Sequence, residues 1–328
     1  MFCCITKSIA PGLHNIACSV ALFAIASLLA ITIFSVFAQD NFKHISFVTF
    51  NSKLSYTIGE DSQSFTAQRT LSPFSINKYE TTYGIWYQTR ILAQEKGYYF
   101  QNPGQPGSDG KYGAKADETN SHFPVTMISW YDAIVWCNAL SELKGRTPCY
   151  TYQGEILRDS SDTAACDLAT CDWTANGFRL PSESEWEFAA RCTKFGTQKG
   201  NLISGQSPNE GEESALLYCW NFQNADQTRI VGTAGVPFDP ENIATPASGN
   251  SNFAGIFDMS GNVLEFCWDW FASYTEKDLY GPQMGFERVS RGGSFSMYTP
   301  FLFSGDRYSF DPNETYNYMG FRIAATAK

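Results

Sequence analysis

The feature that most restricts the fold is a long stretch without helical or strand periodicity, from residue 197 to 254. Glycine, asparagine, proline, serine and aspartate dominate it, and these residues favour turns and loops. An irregular segment of this length in a compact domain is usually held by something other than helix or sheet. The chain is therefore expected to contain much irregular structure, and a bound cation is one candidate for holding this stretch.

Sequence patterns predict helices and strands on both sides of that stretch. Ser129, with Asp132 three residues later, is a good N-cap for an amphipathic helix that stops at Gly145. Ser182 and Glu185 have the spacing of a capping box and predict a second helix. A further helix follows Thr81 or Thr82. Strands are predicted within residues 42–58, 74–79, 178–180, 288–295 and 320–324.

The first 38 residues have the pattern of a targeting segment. Lys7 precedes an uncharged apolar run from Ile16 to Ala38, and Val36-Phe37-Ala38 fits a small-residue cleavage site. The run is also long enough to span a bilayer. Residues 1–38 are predicted to be a signal peptide or an uncleaved anchor, and residues 39–328 a single exported domain in the periplasm, at the cell surface or secreted. Membrane contact is expected only through an uncleaved N-terminus.

Charge and cysteine content narrow the function classes. The formal net charge is −10, and there is no run of lysine or arginine, so binding to a nucleic-acid backbone is not expected. Seven cysteines follow residue 38, and an oxidising compartment permits disulfides. Cys166 and Cys171 close a short loop and are the easiest pair to propose. Cys137, Cys192 and Cys267 sit in apolar contexts and are interpreted as buried small hydrophobes.

The C-terminal segment opens with Arg291-Gly-Gly-Ser and closes with Gly-Phe-Arg322. Eight aromatic residues lie between these ends, and Pro300, Gly305 and Pro312 interrupt any helical or strand period. An irregular aromatic loop between two ordered pieces is how a rigid scaffold presents a binding or catalytic surface. The alternative is a loop whose aromatic side chains cover the core.

Five segments in order carry a family resemblance: NKYETTYGIWY, PVTMISWYDAIVWCNALSE, GFRLPSESEWEFAAR, GIFDMSGNVLEFCWDW and RVSRGGSF with GFRIA. The set, from about Phe74 to Ala325, resembles the formylglycine-generating enzyme (sulfatase-modifying factor) family. The resemblance implies a single α+β domain with a variant C-type-lectin fold. Such a fold has short twisted antiparallel sheets, about two main helices and much irregular structure.

The resemblance also implies structural calcium, bound by the segment from Asp258 to Glu265. Asp258 and Glu265 would supply side-chain oxygens, and Met259, Gly261 and Val263 would supply carbonyls. A hard cation prefers such oxygen ligands. The alternative interpretation is that Asp258 caps a turn and that Glu265 is buried beside an arginine.

The metal chemistry of the family is not expected here. Its enzymes oxidise a substrate cysteine with copper held by two cysteines, and the matching positions are Met297 and Leu302. Cu(I) is selected by thiolates, which neither residue supplies. Related domains use iron with several histidines, but this chain has only His14, His44 and His122. No catalytic residue is therefore predicted.

Two hypotheses follow for the segment 296–319. In the first, it binds an unknown protein or small-molecule ligand, because its aromatic and small polar residues resemble a paratope. It also looks like the hypervariable C-terminal patch of variable proteins of diversity-generating retroelements. The predicted ligand-binding residues are Tyr298, Phe301, Phe303, Ser304, Asp306, Tyr308 and Phe310, with Leu302 as a further display position. In the second, the chain is a formylglycine-generating-type oxidoreductase or a derived metal-dependent oxidase.

Overall fold

Helical structure is limited to short pieces in the residues described by this computed structural model, which are 45–59, 66–239, 244–275 and 279–327. The α-helices are α1 (Tyr83–Ala93), α2 (Trp130–Leu143), α3 (Thr163–Asp167) and α4 (Glu183–Arg191). Three 3-10 helices span Gln94–Lys96, Glu212–Leu217 and Thr299–Phe301. No described helix is long and apolar enough to cross a membrane. The predicted signal peptide, residues 1–38, lies outside the described residues.

The capping predictions for two helices are confirmed. Ser129 accepts a hydrogen bond from the Asp132 amide, and Ser182 accepts one from the Glu185 amide. Each acidic side chain bonds back to the amide of its serine, which completes a capping box. Thr82 precedes α1 without a side-chain cap. The three longest described helices, α1, α2 and α4, therefore begin where the sequence predicted helices.

The strands are short and form small sheets. Those described are β1 (Phe47–Phe50), β2 (Leu54–Ile58), β3 (Ala67–Leu71), β4 (Phe74–Asn77), β5 (Gln105–Pro106), β6 (Val125–Thr126), β7 (Tyr150–Tyr152), β8 (Glu155–Ile156), β9 (Thr170–Cys171), β10 (Phe178–Arg179), β11 (Cys192–Thr193), β12 (Gly196–Thr197), β13 (Leu264–Trp270), β14 (Arg288–Arg291), β15 (Arg307–Phe310), β16 (Met319–Gly320) and β17 (Ala324–Thr326). The two four-stranded sheets have the orders β1-β4-β17-β10 and β15-β14-β13-β16. Only the β13–β16 pairing in them is parallel, and this short-stranded α+β architecture confirms the predicted fold class.

Two C-terminal strands differ from their predicted limits. β14 ends at Arg291, because Gly292 and Gly293 take φ values of +94° and +71° and turn the chain out of the sheet. The predicted strand 320–324 is instead two strands, β16 and β17, with Phe321 to Ile323 between them. The segment predicted to be irregular also contributes β15, which pairs with β14 from Arg288↔Phe310 to Arg291↔Arg307.

Side-chain amides hold the irregular stretch between residues 197 and 254. Asn252 donates to the carbonyl of Ala189 at 2.9 Å and accepts from the amides of Ala254 and Ile256. Asn224 accepts from the Asn221 amide and donates to the Cys219 carbonyl. An asparagine can both donate and accept, so it replaces the backbone partners that a strand or helix would supply.

The core under α1 and α2 is aromatic. The Trp86 and Trp136 rings are stacked with centroids 5.8 Å apart, and Phe321 packs edge-on against both. All three side chains are fully buried. Phe321 belongs to the closing Gly-Phe-Arg of the C-terminal segment, so this aromatic cluster ties the end of the chain to the first two helices.

The cysteine loop prediction is wrong in this structure. Cys166 and Cys171 are both free, as are the other five described cysteines. Cys166 lies in α3, where its thiol faces the Asp159 carbonyl at 3.6 Å, whereas Cys171 belongs to β9. The two cysteines thus lie in different elements, although they are close in sequence. Cys137, Cys192 and Cys267 are buried, as predicted.

Candidate functional site

The C-terminal segment turns back over the domain directly after β14. Gly293 lies so close to the chain ahead of it that a Cβ there would be 2.7 Å from the Phe301 carbonyl oxygen. The side chain of Ser260 donates to the Leu302 carbonyl at 2.8 Å. The double glycine therefore permits a close backbone contact that sets the path of residues 294–302.

Arg291 anchors the next part of the segment. Its guanidinium is fully buried and donates to the carbonyl oxygens of Gly305 at 3.0 Å and Ser304 at 3.2 Å, and also to that of Asp306. The same group forms an ion pair with Glu187 of α4. One side chain thus holds three consecutive carbonyls against the core, and the backbone of the segment is rigid at this point.

The predicted ligand-binding residues divide into three classes of exposure. Tyr298 and Phe301 are 52% and 54% exposed. Phe303, Asp306 and Tyr308 are half-buried. Ser304 and Phe310 are buried, and so is Leu302. The structure therefore brings five of the seven residues to the surface and removes two from it.

The burial of Ser304 and Phe310 corrects their predicted role. The Ser304 hydroxyl donates to the Leu202 carbonyl at 2.9 Å, so it fastens the segment to the irregular stretch. Phe310 lies in β15 and stacks on Phe266 with ring centroids 4.7 Å apart. Leu302 packs with Ile203 and Cys219 in a small apolar cluster. These side chains support the surface and cannot contact a ligand there.

The exposed part of the site includes a residue that the sequence did not indicate. Phe222, which is 56% exposed, packs against Tyr298 with ring centroids 4.8 Å apart. Its amide donates to the Met297 carbonyl at 3.0 Å. Thr299 is fixed from the same side, because it accepts from Asn221 and donates to Gln223, both at 2.8 Å. The residues before and after Phe222 thus hold the 3-10 helix that presents Tyr298 and Phe301.

Two grooves flank the Phe222–Tyr298 pair, and Gln223 lines both. The amide groove has a volume of about 690 Å³, and its lining includes Asn224, Gln227, Arg229, Phe238 and Phe295. The acidic groove has a volume of about 480 Å³, and its lining includes Glu210, Glu212, Glu213, Leu216, Tyr298 and Phe303. The aromatic pair is therefore a ridge between two depressions of different charge.

The positions that match the copper ligands are occupied by an apolar cluster. Met297 packs on the edge of the cluster that contains Leu302, Ile203 and Cys219. Cys219 is the nearby thiol, but burial raises its pKa to about 12, so it stays protonated at neutral pH. Protonated thiol and thioether groups are poor substitutes for two thiolates. Of the two histidines after residue 38, His44 lies outside the described residues, and His122 is the only histidine within them.

The segment expected to bind calcium faces a guanidinium. Both oxygens of Glu265 accept hydrogen bonds from Arg322, at 2.6 and 2.5 Å, and Trp186 donates to one of them at 2.7 Å. Gly261 packs against the Trp220 backbone, and the Val263 amide donates to Glu80. Glu265 would have to leave Arg322 to bind a cation, so its side chain does not fit the predicted role as folded.

Asp258 is the exception within that segment. It is buried at a φ of +55°, and its Oδ2 accepts from the Gly232 amide at 2.5 Å. Its Oδ1 has no hydrogen-bond partner in the described structure. Burial is the main cause that raises the Asp258 pKa to about 6. Across the described residues, no group of three or more His, Cys, Asp or Glu side chains is arranged to hold a metal ion.

Comparison with known proteins gives a consistent picture. Residues 48–327 match the model of a protein family that is described as "Sulfatase-modifying factor enzyme 1-like domain". The chaperone protein LppX of Paenibacillus barcinonensis is 32% identical over 233 residues, which cover 69% of this chain and 70% of that protein. The formylglycine-generating enzyme of Thermomonospora curvata is 27% identical over 246 residues, covering 70% of this chain and 62% of the enzyme.

A solved structure extends this similarity to three dimensions. Treponema denticola variable protein 1 has a TM-score of 0.66 and 28% sequence identity, and the match covers 86% of this chain and 95% of that one. The structure of CarF, at 21% identity and a TM-score of 0.64, is similar in fold alone. The relatives thus include an enzyme, a chaperone and a variable protein on one architecture.

Proposed function

The chain belongs to the sulfatase-modifying factor enzyme 1-like family, and from that premise we propose that it is an exported, non-catalytic binding protein. Its ligand contacts the exposed ridge formed by Phe222 and Tyr298 and the neighbouring exposed side chain of Phe301. The grooves on both sides of the ridge take the neighbouring parts of the ligand. The observation that carries the proposal is the exposure of these aromatic side chains on a backbone held by Arg291 and Thr299.

Physical reasoning favours recognition at this surface. Rigid aromatic side chains supply a large contact area and lose little conformational entropy when they bind. Adjacent amide and hydroxyl groups can adapt their hydrogen bonds to the partner. A buried guanidinium that holds three carbonyls keeps the backbone from rearranging, so the cost of ordering the segment is already met in the free protein.

Two relatives support a binding role. One is named a chaperone, and a chaperone acts by binding another polypeptide. The structural relative is named a variable protein. If this chain is also a variable protein of a diversity-generating retroelement, an adenine-rich template repeat that matches the segment must lie downstream of its gene. Sequencing that region tests this narrower proposal.

Formylglycine-generating-type oxidation is the second candidate, and the relatives named formylglycine-generating enzymes favour it. Incubation of the purified chain with Cu(I), oxygen and a cysteine peptide tests it directly, with mass spectrometry of the peptide as the readout. Our proposal expects an unchanged peptide, because Met297 and Leu302 supply no thiolate. Conversion of the cysteine would overturn the non-catalytic assignment.

The binding proposal is tested with a phage-displayed random peptide library selected against the full chain. A selected peptide should lose about tenfold or more in affinity on the double variant Tyr298→Ala/Phe301→Ala, since exposed aromatic anchors dominate such interfaces. Phe286→Ala is the matched control, because Phe286 is almost fully exposed and lines neither groove. Circular dichroism verifies that each variant is folded. Equal binding to both variants, or failure to select any peptide, would contradict the proposal.

A further inference from the structure

The two grooves beside the aromatic ridge differ in their charges. In the amide groove, Arg229 is paired with Asp226 at 2.8 Å, so its charges are balanced. In the acidic groove, Glu210, Glu212 and Glu213 are exposed, and no lysine, arginine or histidine is part of the lining. None of the three carboxylates forms a salt bridge within the part of the chain that the structure describes. The acidic groove therefore carries three negative charges without internal compensation.

The acidic groove also has apolar and aromatic walls. Tyr298 and Phe303 line it, together with Leu202, Leu216 and Pro300. A lysine or arginine side chain has a hydrocarbon stem that packs on such surfaces and a charged end that pairs with carboxylates. The face of Tyr298 adds cation–π attraction for a bound cation. The combination of apolar wall, aromatic face and carboxylate rim matches this type of side chain.

We propose that the acidic groove binds a basic segment of a polypeptide partner, with a lysine or arginine side chain between Tyr298 and the rim of Glu210, Glu212 and Glu213. This inference rests on the proposed binding function and specifies the chemistry of the partner. The aromatic ridge provides affinity that does not depend on charge, whereas the groove selects for positive charge. Charge complementarity identifies the occupant, since an acidic or neutral segment would leave three carboxylates in an unfavourable contact.

The test uses a labelled peptide of alternating lysine and alanine, with fluorescence anisotropy as the readout. At about 0.1 M salt, the variant Glu210→Gln/Glu212→Gln/Glu213→Gln should bind it about tenfold more weakly than the wild type, because three exposed charge pairs are removed. A matched control, Glu95→Gln/Glu118→Gln/Glu314→Gln, changes the net charge equally at exposed positions outside the groove. Its affinity should stay within about twofold, since distant charges are screened.

A second peptide and a second variant distinguish binding at the groove from binding by net charge alone. A peptide of alternating glutamate and alanine should not bind, and Tyr298→Ala should weaken the lysine peptide by about threefold. Equal losses in the two glutamine variants would overturn the proposal, because binding would then follow net charge alone. If peptides selected from the random library need Tyr298 and Phe301 but are insensitive to the three glutamates, the aromatic binding site stands and the basic-ligand assignment falls. If neither set of residues matters, both fall.

Discussion

At the scale of single residues, the buried carboxylates are the most unusual feature. Glu80, Asp258 and Glu265 lie close enough to influence one another, and Arg322 is the cation among them. Burial raises the pKa of Glu80 and of Asp258, with the neighbouring carboxylates as a further cause. Glu265 is instead paired with Arg322 through two hydrogen bonds. The positive charge of Arg322 therefore interacts with all three carboxylates, and Oδ1 of Asp258 has no hydrogen-bond partner in the described structure.

Asp258 should make stability depend on pH. Its pKa in the folded protein, about 6, lies above the ordinary value of 3.8, so the native state binds the proton more tightly than the unfolded chain does. The contribution of this difference to the free energy of unfolding is fully present below pH 4 and is lost as the pH rises towards 6. Asp258→Asn should therefore be more stable than the wild type at pH 7 by ~1–3 kcal/mol, with a smaller dependence on pH. Urea unfolding at several pH values measures this.

The same variant bears on calcium. If calcium binds Asp258, removal of the charge should destabilise the protein only when calcium is present. Stabilisation of Asp258→Asn that is unaffected by calcium and EDTA would agree with the guanidinium-centred arrangement. Destabilisation that depends on calcium would restore the family's metal site.

Arg291 should be a large single contributor to stability in the C-terminal segment. Arg291→Met removes the partner of Glu187 and three hydrogen bonds to carbonyls, which leaves buried polar groups unpaired. The expected cost is ~3–5 kcal/mol in the free energy of unfolding. Asp226→Asn, which removes the 86%-exposed partner of Arg229, should cost less than about 1 kcal/mol. Denaturant midpoints for the two variants compare them, and similar losses would refute this ranking.

At the scale of elements, the Gly292–Gly293 turn links the sheet to the binding surface. β14 brings the chain to Arg291, and the turn then places Thr299–Phe301 beside Phe222. A residue with a side chain at Gly293 would meet both a strained φ and the Phe301 carbonyl. The turn therefore acts on the position of Tyr298 and Phe301 without touching a ligand.

A comparison of Gly293→Ala with Gly154→Ala should separate the cost of a positive φ from the cost of a steric contact with the Phe301 carbonyl. Gly154 has a φ of +86° and open space around its Cβ position, so alanine there carries the conformational cost of ~1–2 kcal/mol alone. Gly293→Ala should lose at least about 1 kcal/mol more and should weaken the library-selected peptide. Thermal unfolding and peptide affinity are the two measurements. Equal losses of stability and unchanged affinity would show that the turn does not position the site.

At the scale of the whole molecule, the described cysteines are free thiols, and most of them are buried. Cys137, Cys149 and Cys192 are buried, and burial raises the pKa of Cys149 to about 11 and that of Cys192 to about 12. A protonated, inaccessible thiol reacts slowly with oxidants and alkylating reagents. A domain of this size can bury enough apolar surface to be stable without disulfides.

Thiol mapping should confirm that cysteines in this domain are unpaired. Alkylation of the full chain in denaturant, without reductant, should label both Cys166 and Cys171, because each is free in the fold. Alkylation of the native protein should leave the buried Cys137 and Cys267 unlabelled. Peptide mass spectrometry reads both results. A Cys166–Cys171 cross-link in the unreduced sample would restore the pairing first expected from their spacing.

The sequence by itself determined the fold class, the family and two helix starts, because these depend on local information. Ser129 and Ser182 cap their helices through contacts three residues away, and five ordered segments identify the architecture. The tertiary structure alone decided which aromatic residues are exposed. Phe222 packs against Tyr298, Phe310 turns inward, and Arg322 pairs with Glu265. These outcomes depend on contacts between residues far apart in the chain, and no local pattern of residue types encodes such contacts.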